Sequence, residues 1–551
     1  MSDAQYAEPG PGAVSSHLER IAPCARADAA ELAVRALLDD LVAADPEIGT
    51  WLGLSAGADR LPSWSAAALA RRCSDLHRHE RRLRPLLADE DVVVAVDAFA
   101  ALEIVHRRLR DLEMRDVASR RPSLYLEAVN GLFPFVTREL GTPAQRLAAL
   151  AGRLRAVPGL LEEARANLGG ELSEVSVTFA IGLAEGLLHL IGPTMHEFAA
   201  AIGRAGALDR ESAAAVAAMA RFRDHLRETC LPAATARCGA GRDVIEDILL
   251  WEHVLRDTPE DLAAYGRCVL AETKARMEEI AAGLGYADAG AAVAAVQGDG
   301  PTREGLVVAY HDAVSAAREY ISDHDIVTIP SGEELEVLAT PAFLRTALPY
   351  AAYYQPGPLE TRQLGYYFVT PPDDDLAGSE LRNALRNHPF ASLPTTGVHE
   401  AYPGHHLQLV SANRAPTTAR RVAHLYDGGN ILIEGWAFYC EELMEREGFL
   451  VDPRVRLMRL NDQVWRACRV VIDIELHLGV MGFDDAVRFL ATESHADVGD
   501  SRLECARYAE QPGQAMSYLL GKREVTRLAA AWREARPGTR REFHDELLAW
   551  G

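Results

Sequence analysis

Apolar residues return every three to four positions along much of this chain, the spacing of helices that bury one face. The pattern is clearest from Asp28 to Ala44, from Gln145 to Leu168 and from Ser173 to Ala201. Ala, Leu, Arg and Glu are abundant in these stretches, and each loses little freedom in a helix. Breaks are expected at Leu231 to Arg242, Ala287 to Thr302 and Pro371 to Glu380, where Pro, Gly and small residues gather. Within the second of these, Ala287 to Ala295 reads as helix and turn rather than linker. Strand signals are scarce. The best is Gly365 to Thr370, GYYFVT, closed by Pro371–Pro372. It reads as a short hairpin, or as a strand whose free edge could pair with an extended peptide. No repeat of fixed period is present. The expected fold is mainly α, with a minor short β-sheet or hairpin.

Composition narrows the class of partner. Of 551 residues, 48% are hydrophobic and 25% charged, ordinary values for a chain with a large buried core. The expected division is a disordered tail over residues 1–14, then one unit over 15–551, either undivided or of two lobes divided near residue 235. The formal net charge is −23. Such a surface repels phosphate backbones, so a nucleic-acid partner is not expected. Eight cysteines are scattered without a CxxC pair, as in proteins whose thiols stay reduced. The first fourteen residues lack the apolar run of a signal peptide. No stretch reads as the ~20 apolar residues of a membrane span. The reading is therefore a cytoplasmic protein with no membrane partner; oligomeric state is not legible.

The candidate chemistry lies in His399 to Gln408, HEAYPGHHLQ. In the zinc-protease motif H-E-x-x-H, two His at i and i+4 share one helical face, and the Glu acts as general base. Here the second His comes at i+6 or i+7. On an unbroken helix, i+6 lies about 240° around and roughly 9 Å along. Two imidazoles so placed cannot share an ion with bonds of about 2.0–2.1 Å. Pro403 and Gly404 supply the break, because Pro403 lacks an N–H and Gly404 is free of Cβ restrictions. A two-residue bulge would turn i+6 into an effective i+4, favouring His405 over His406 as the second ligand. A third ligand is expected at Glu434, in the amphipathic stretch Asn430 to Glu442, NILIEGWAFYCEE. Two His and one Glu leave a fourth position open, as in catalytic zinc sites. Glu441, at i+7 from Glu434, is placed to orient a ligand His. Manganese, cobalt or iron would also suit such donors.

HEAYPGHHLQ, EGWAFYCEE and the later QPGQAMSYLLGK (residues 511–522) resemble the bacterial family called domain of unknown function 885. The likeness extends to VPGLLEEARANL (157–168), TPEDLAAYGRCVLAET (258–273), ATPAFLRTALPYAAYY (339–354) and RVVIDIELHLGVMGFDDAVRFL (469–490). The resemblance implies a helical, zincin-like (gluzincin-type) bilobal architecture with a deep central cleft and metal-dependent hydrolysis. It implies His399, His405 and Glu434 as metal ligands and Glu400 as base. One departure is mild: Met516–Ser517 and Leu519–Leu520 stand where a more basic stretch is expected.

The expected activity is thus zinc-dependent hydrolysis of small peptides, of the metallopeptidase type. Glu400 takes a proton from water, and oxyanion donors are sought in Tyr518, Arg507 and Tyr508. His477 is a candidate acid for the leaving amine, and Arg507 could instead clasp a substrate carboxylate. Alternatives are a hydrolase or lyase acting on a non-peptide amide, or a metal-binding scaffold without catalysis. Two further readings are set aside. Gly53 to Gly57, GLSAG, matches a serine nucleophile elbow at Ser55 but lacks the strand that motif needs. A di-iron site needs two Glu-x-x-His motifs, and only Glu103–His106 has that spacing.

Overall fold

The computed structural model describes residues 29–54, 57–341, 344–345, 348, 351–423 and 430–551. The tail over 1–14 and the Ser55 turn lie outside these residues. Helices dominate. In the first half they include α1 (Ala29–Ala44), α2 (Val92–Leu109), α3 (Pro143–Asn167), α4 (Glu174–His189) and α5 (Asp209–His225). In the second half come α6 (Pro259–Gly283) and α7 (Leu306–Asp323), then β1 (Glu333–Ala339), β2 (Ala351–Tyr354) and β3 (Gln363–Val369). They are followed by α8 (Leu393–Glu400), α9 (His405–Ala412), α10 (Asn430–Arg446), α11 (Pro453–His477), α12 (Val498–Glu510) and α13 (Ser517–Ala535).

Local signals explain the boundaries. α3 opens with a capping box, in which the Thr142 and Gln145 side chains each cap the other's backbone and Pro143 takes the first turn. Ser173 caps α4, which continues through one wider turn at Leu190–Thr194 to Ala201. This run from Glu174 to Ala201 is long and apolar enough to cross a membrane by length and composition, which corrects the expectation that no stretch approaches a span. Half of its apolar window is buried within the fold, where Val177, Ala184, Ile191 and Phe198 join the core.

Three hydrophobic clusters hold the molecule. One is built entirely from Val244 onward; the other two come mainly from the earlier helices. The sheet lies between the first two. Strand order is β1-β3-β2, with β1 parallel and β2 antiparallel to β3. Alternate residues of β3 point to opposite faces. Tyr367 and Val369 therefore enter the later cluster, and Phe368 enters the earlier one. A strand buried on both faces reads as an unbroken apolar run, which is why GYYFVT stood out. The expected free edge is corrected here: β3 is the central strand, and neighbours occupy both its sides.

Candidate metal centre

α8 stops at Glu400 and α9 starts at His405. Across the break the hydrogen bonds span six residues instead of four, from Gly404 N–H to the Val398 carbonyl and from Leu407 N–H to the Ala401 carbonyl, so two extra residues loop out as the expected bulge. The Gly404 N–H donates to the Val398 carbonyl at 3.0 Å. A Cβ on Gly404 would collide with the Val398 and His399 carbonyl oxygens, so the turn needs glycine. The Tyr402–Pro403 bond is cis, and the Trp436 indole N–H on α10 donates to the Pro403 carbonyl at 2.7 Å. The bulge places the His399 and His405 rings 4.6 Å apart and nearly perpendicular, at 87°.

Glu434, on α10, completes the group. Its Oε2 lies 3.6 Å from His399 Nε2 and 3.3 Å from His405 Nε2. The donor atoms of all three residues fall within 4.8 Å of one another. A tetrahedral ion with bonds of about 2.0–2.1 Å has donor–donor edges of about 3.3 Å. Glu434 Oε2 is buried and has no hydrogen-bond partner. A shared cation would satisfy that oxygen, so the three side chains fit a divalent metal. Burial works against a charged His399, but the Glu434 and Glu441 carboxylates push its pKa up to about 10. Burial likewise opposes ionisation of Glu434, and His405 and His399 hold its carboxyl well below the usual range.

Glu441 takes the role its spacing allowed. It accepts a 2.8 Å hydrogen bond from His399 Nδ1, leaving Nε2 to face the centre. Glu441→Ala is expected to weaken zinc affinity by roughly 10–100-fold. Competition against a chromophoric chelator measures this; unchanged affinity would remove Glu441 from the site.

His406 is committed elsewhere. Its Nε2 donates to Glu333 at 2.7 Å, and Tyr353 donates to its Nδ1 at 3.0 Å. Neither nitrogen remains for an ion, so the choice between His405 and His406 falls to His405. Burial would raise the Glu333 carboxyl, but hydrogen bonds from His406, Tyr402 and Arg318 hold it down to about 2. Gly365 on β3 leaves room for the imidazole, because a Cβ there would lie 2.7 Å from His406 Nδ1.

The remaining predicted residues divide. Glu400 ends α8, half-buried, and its charge reaches Tyr310, Tyr353 and Tyr367. Tyr518 lies against Glu434; burial and that carboxylate raise its pKa, so the phenol remains a donor. A contact between helices sets this placement. A Cβ on Gly521 of α13 would collide with the Ile431 carbonyl of α10, and one on Gly435 would collide with Gly521. Tyr518, one turn before Gly521, is thereby carried to Glu434. Arg507 pairs with Glu504 at 2.9 Å and donates to Gln514 at 2.8 Å. His477 does not reach the centre. Its Nδ1 accepts from the Ala240 N–H at 3.0 Å and its Nε2 donates to the Tyr508 carbonyl at 3.1 Å. Burial pushes its pKa down to about 4, and its role is to tie α11 to α12.

Sequence reasoning missed Glu333, Tyr353 and Tyr367. Tyr367 is fully buried beside Glu400, and its hydroxyl has no hydrogen-bond partner. The only signal for it was the GYYFVT run itself. A cavity of about 500 Å³ opens among the early helices, lined by Trp51, Trp64, Arg72 and Arg108; none of the three candidate ligands lines it.

Residues 46–551 match the profile of a family described as bacterial protein of unknown function, DUF885. The chain belongs to that family. Two solved structures resemble this DUF885 protein along nearly its whole length. One is a candidate lipoprotein of unknown function from Shewanella oneidensis, 19% identical, with a TM-score of 0.76 over 96% of this chain and 98% of that one. The other is a candidate lipoprotein from Colwellia psychrerythraea, also 19% identical, with a TM-score of 0.76 over 95% and 96% of the two chains. At that identity the likeness establishes a shared fold. No curated protein matches this DUF885 member.

Proposed function

We propose that this protein is a zinc-dependent hydrolase that cleaves amide bonds of small peptides. The observation that carries this reading is the convergence of His399, His405 and Glu434 on one point, with Glu434 Oε2 otherwise unpartnered. Two His, one Glu and an open fourth position are the donor set of a catalytic rather than a structural zinc. On this reading the architecture is zincin-like and bilobal, with a cleft at the centre. Zinc in such a site polarises a carbonyl and makes water acidic enough to lose its proton near neutral pH.

The protein's own residues do the rest. Glu400 takes one proton from the attacking water and returns it to the leaving amine as the C–N bond breaks. Water is thus divided between the new carboxylate and the new amine. Tyr518, protonated and beside Glu434, donates a hydrogen bond to the developing oxyanion. Glu441 keeps His399 aimed at the centre.

Glu400→Gln is expected to retain zinc and lose roughly 10²–10⁴-fold in turnover. The test combines elemental analysis with a panel of small peptides, followed by the loss of free substrate. Bound zinc with equal turnover in both proteins would exclude Glu400 as base. Bound zinc with no turnover of any peptide would favour a non-peptide amide as substrate, or a scaffold.

The seven described cysteines are all free thiols, which supports a reduced compartment. The neighbours' assignment as lipoproteins points the other way. We retain the cytoplasmic reading, and cell fractionation decides between the two.

A further inference from the structure

Against a formal net charge of −23, one wall of the candidate centre is rich in arginine. Arg466 and Arg469 project from α11 and Arg507 from α12. All three surround Tyr518. The Arg469 guanidinium lies 4.6 Å from its ring centre and that of Arg466 lies 5.9 Å away. Arg507 is within electrostatic reach of the Tyr518 hydroxyl, and Arg469 within reach of both other arginines. Tyr518 in turn lies against Glu434, so this cationic wall borders the ligand set.

The wall has too few anions of its own. Glu504 serves two of the guanidinium groups, at 3.2 Å from Arg469 and 2.9 Å from Arg507. It also accepts the Tyr508 hydroxyl at 2.7 Å. Arg466 has Asp462 at 3.4 Å, and burial raises the pKa of that carboxyl. Glu441 is within electrostatic reach of Arg466, and one of its oxygens also accepts from His399. Three guanidinium groups therefore share Glu504, Asp462 and a Glu441 that also serves His399. Their side chains keep 18, 12 and 27% exposure for Arg466, Arg469 and Arg507, so a ligand can reach them. Burying three cations this close together is costly unless something anionic completes the set. A guanidinium fork matches a carboxylate in two parallel hydrogen bonds.

We propose that the substrate carries a carboxylate that docks on Arg466, Arg469 and Arg507, beside the metal centre. This deepens the hydrolase reading and rests on it for the word substrate. It places the bond to be cleaved close to an anionic terminus or an acidic side chain. A peptide ending in a free carboxylate meets that requirement, and the same peptide ending in a carboxamide does not. The wall is formed jointly, since Arg507 alone is largely satisfied by Glu504 and Gln514.

The test uses the full chain carrying Glu400→Gln, loaded with zinc so that nothing turns over. N-acetyl tripeptides with small, aromatic, basic and acidic final residues are each titrated by calorimetry as the free acid and as the amide. The free acids are expected to bind at least tenfold more tightly. Adding Arg466→Gln or Arg507→Gln should narrow the preference to under threefold, with zinc content unchanged. Equal affinity for acid and amide would overturn the proposal, as would a preference that survives both substitutions or no binding of either form at millimolar concentration. The comparison of acid with amide needs no arginine variant, so it stands even if one of these fails to fold. Preferred binding of acids that the unsubstituted protein never cleaves would retire the peptide-hydrolase reading and leave carboxylate docking in place.

Discussion

His405→Ala is expected to lose its zinc on dialysis against a mild chelator, and His406→Ala is expected to keep it. The two residues are neighbours on α9, both buried and identical in kind. Their surroundings separate them. His405 Nε2 faces the unpartnered oxygen of Glu434, whereas both nitrogens of His406 are engaged by Glu333 and Tyr353. A zinc site worth roughly 10–16 kcal/mol over four ligands loses about 2.5–4 kcal/mol per ligand, roughly 70- to 900-fold in affinity. His406→Ala instead leaves the buried Glu333 carboxylate short of one donor, at about 1–3 kcal/mol of stability. Elemental analysis after dialysis, paired with thermal melting, separates these effects. If the His406 variant lost the metal and the His405 variant retained it, the assignment of ligands would be reversed.

The second large effect concerns the crossing of α10 and α13. Gly521→Val is expected to destabilise the protein by roughly 3 kcal/mol, the upper end for overpacked sites. The obstacle is backbone, the Ile431 carbonyl, which cannot rotate away as a side chain would. The helices must separate, and Tyr518 must leave Glu434, so zinc affinity should fall with stability. Gly186→Ala in α4 is the control, because nothing lies within 4 Å of the site of its Cβ. There the substitution should stabilise by about 0.5–1 kcal/mol, the usual gain of alanine over glycine in a helix. Circular dichroism melts of both variants check the pair. Equal melting temperatures would mean that the crossing is looser than its geometry indicates.

Much of the helical framework was legible because burial of one face imposes its period on the sequence. The helix expected over Gln145 to Leu168 runs from Pro143 to Asn167, with its cap written in Thr142 and Gln145. The convergence of His399, His405 and Glu434 was legible because few spacings allow two imidazoles and a carboxylate to meet. Pro403 and Gly404 announced the bulge between them, and contacts with Val398 and Trp436 hold it. β1 was hidden. Its EELEVLA segment is rich in glutamate, which disfavours strands, and pairing with β3 overrides that preference. The partners of His406 lie 53 and 73 residues away, at Tyr353 and Glu333, and no local pattern links them. Arg466 and Arg469 read only as helix formers until α11 is placed against α12 and α13.

The wall and the ion site are built on different supports. His399, His405 and Glu434 come from α8, α9 and α10, and the arginines come from α11 and α12. Exchange of a guanidinium for a neutral or acidic group would therefore leave every donor atom untouched. On the proposed reading, such an exchange would change which substrates dock while the candidate ligand set stayed in place.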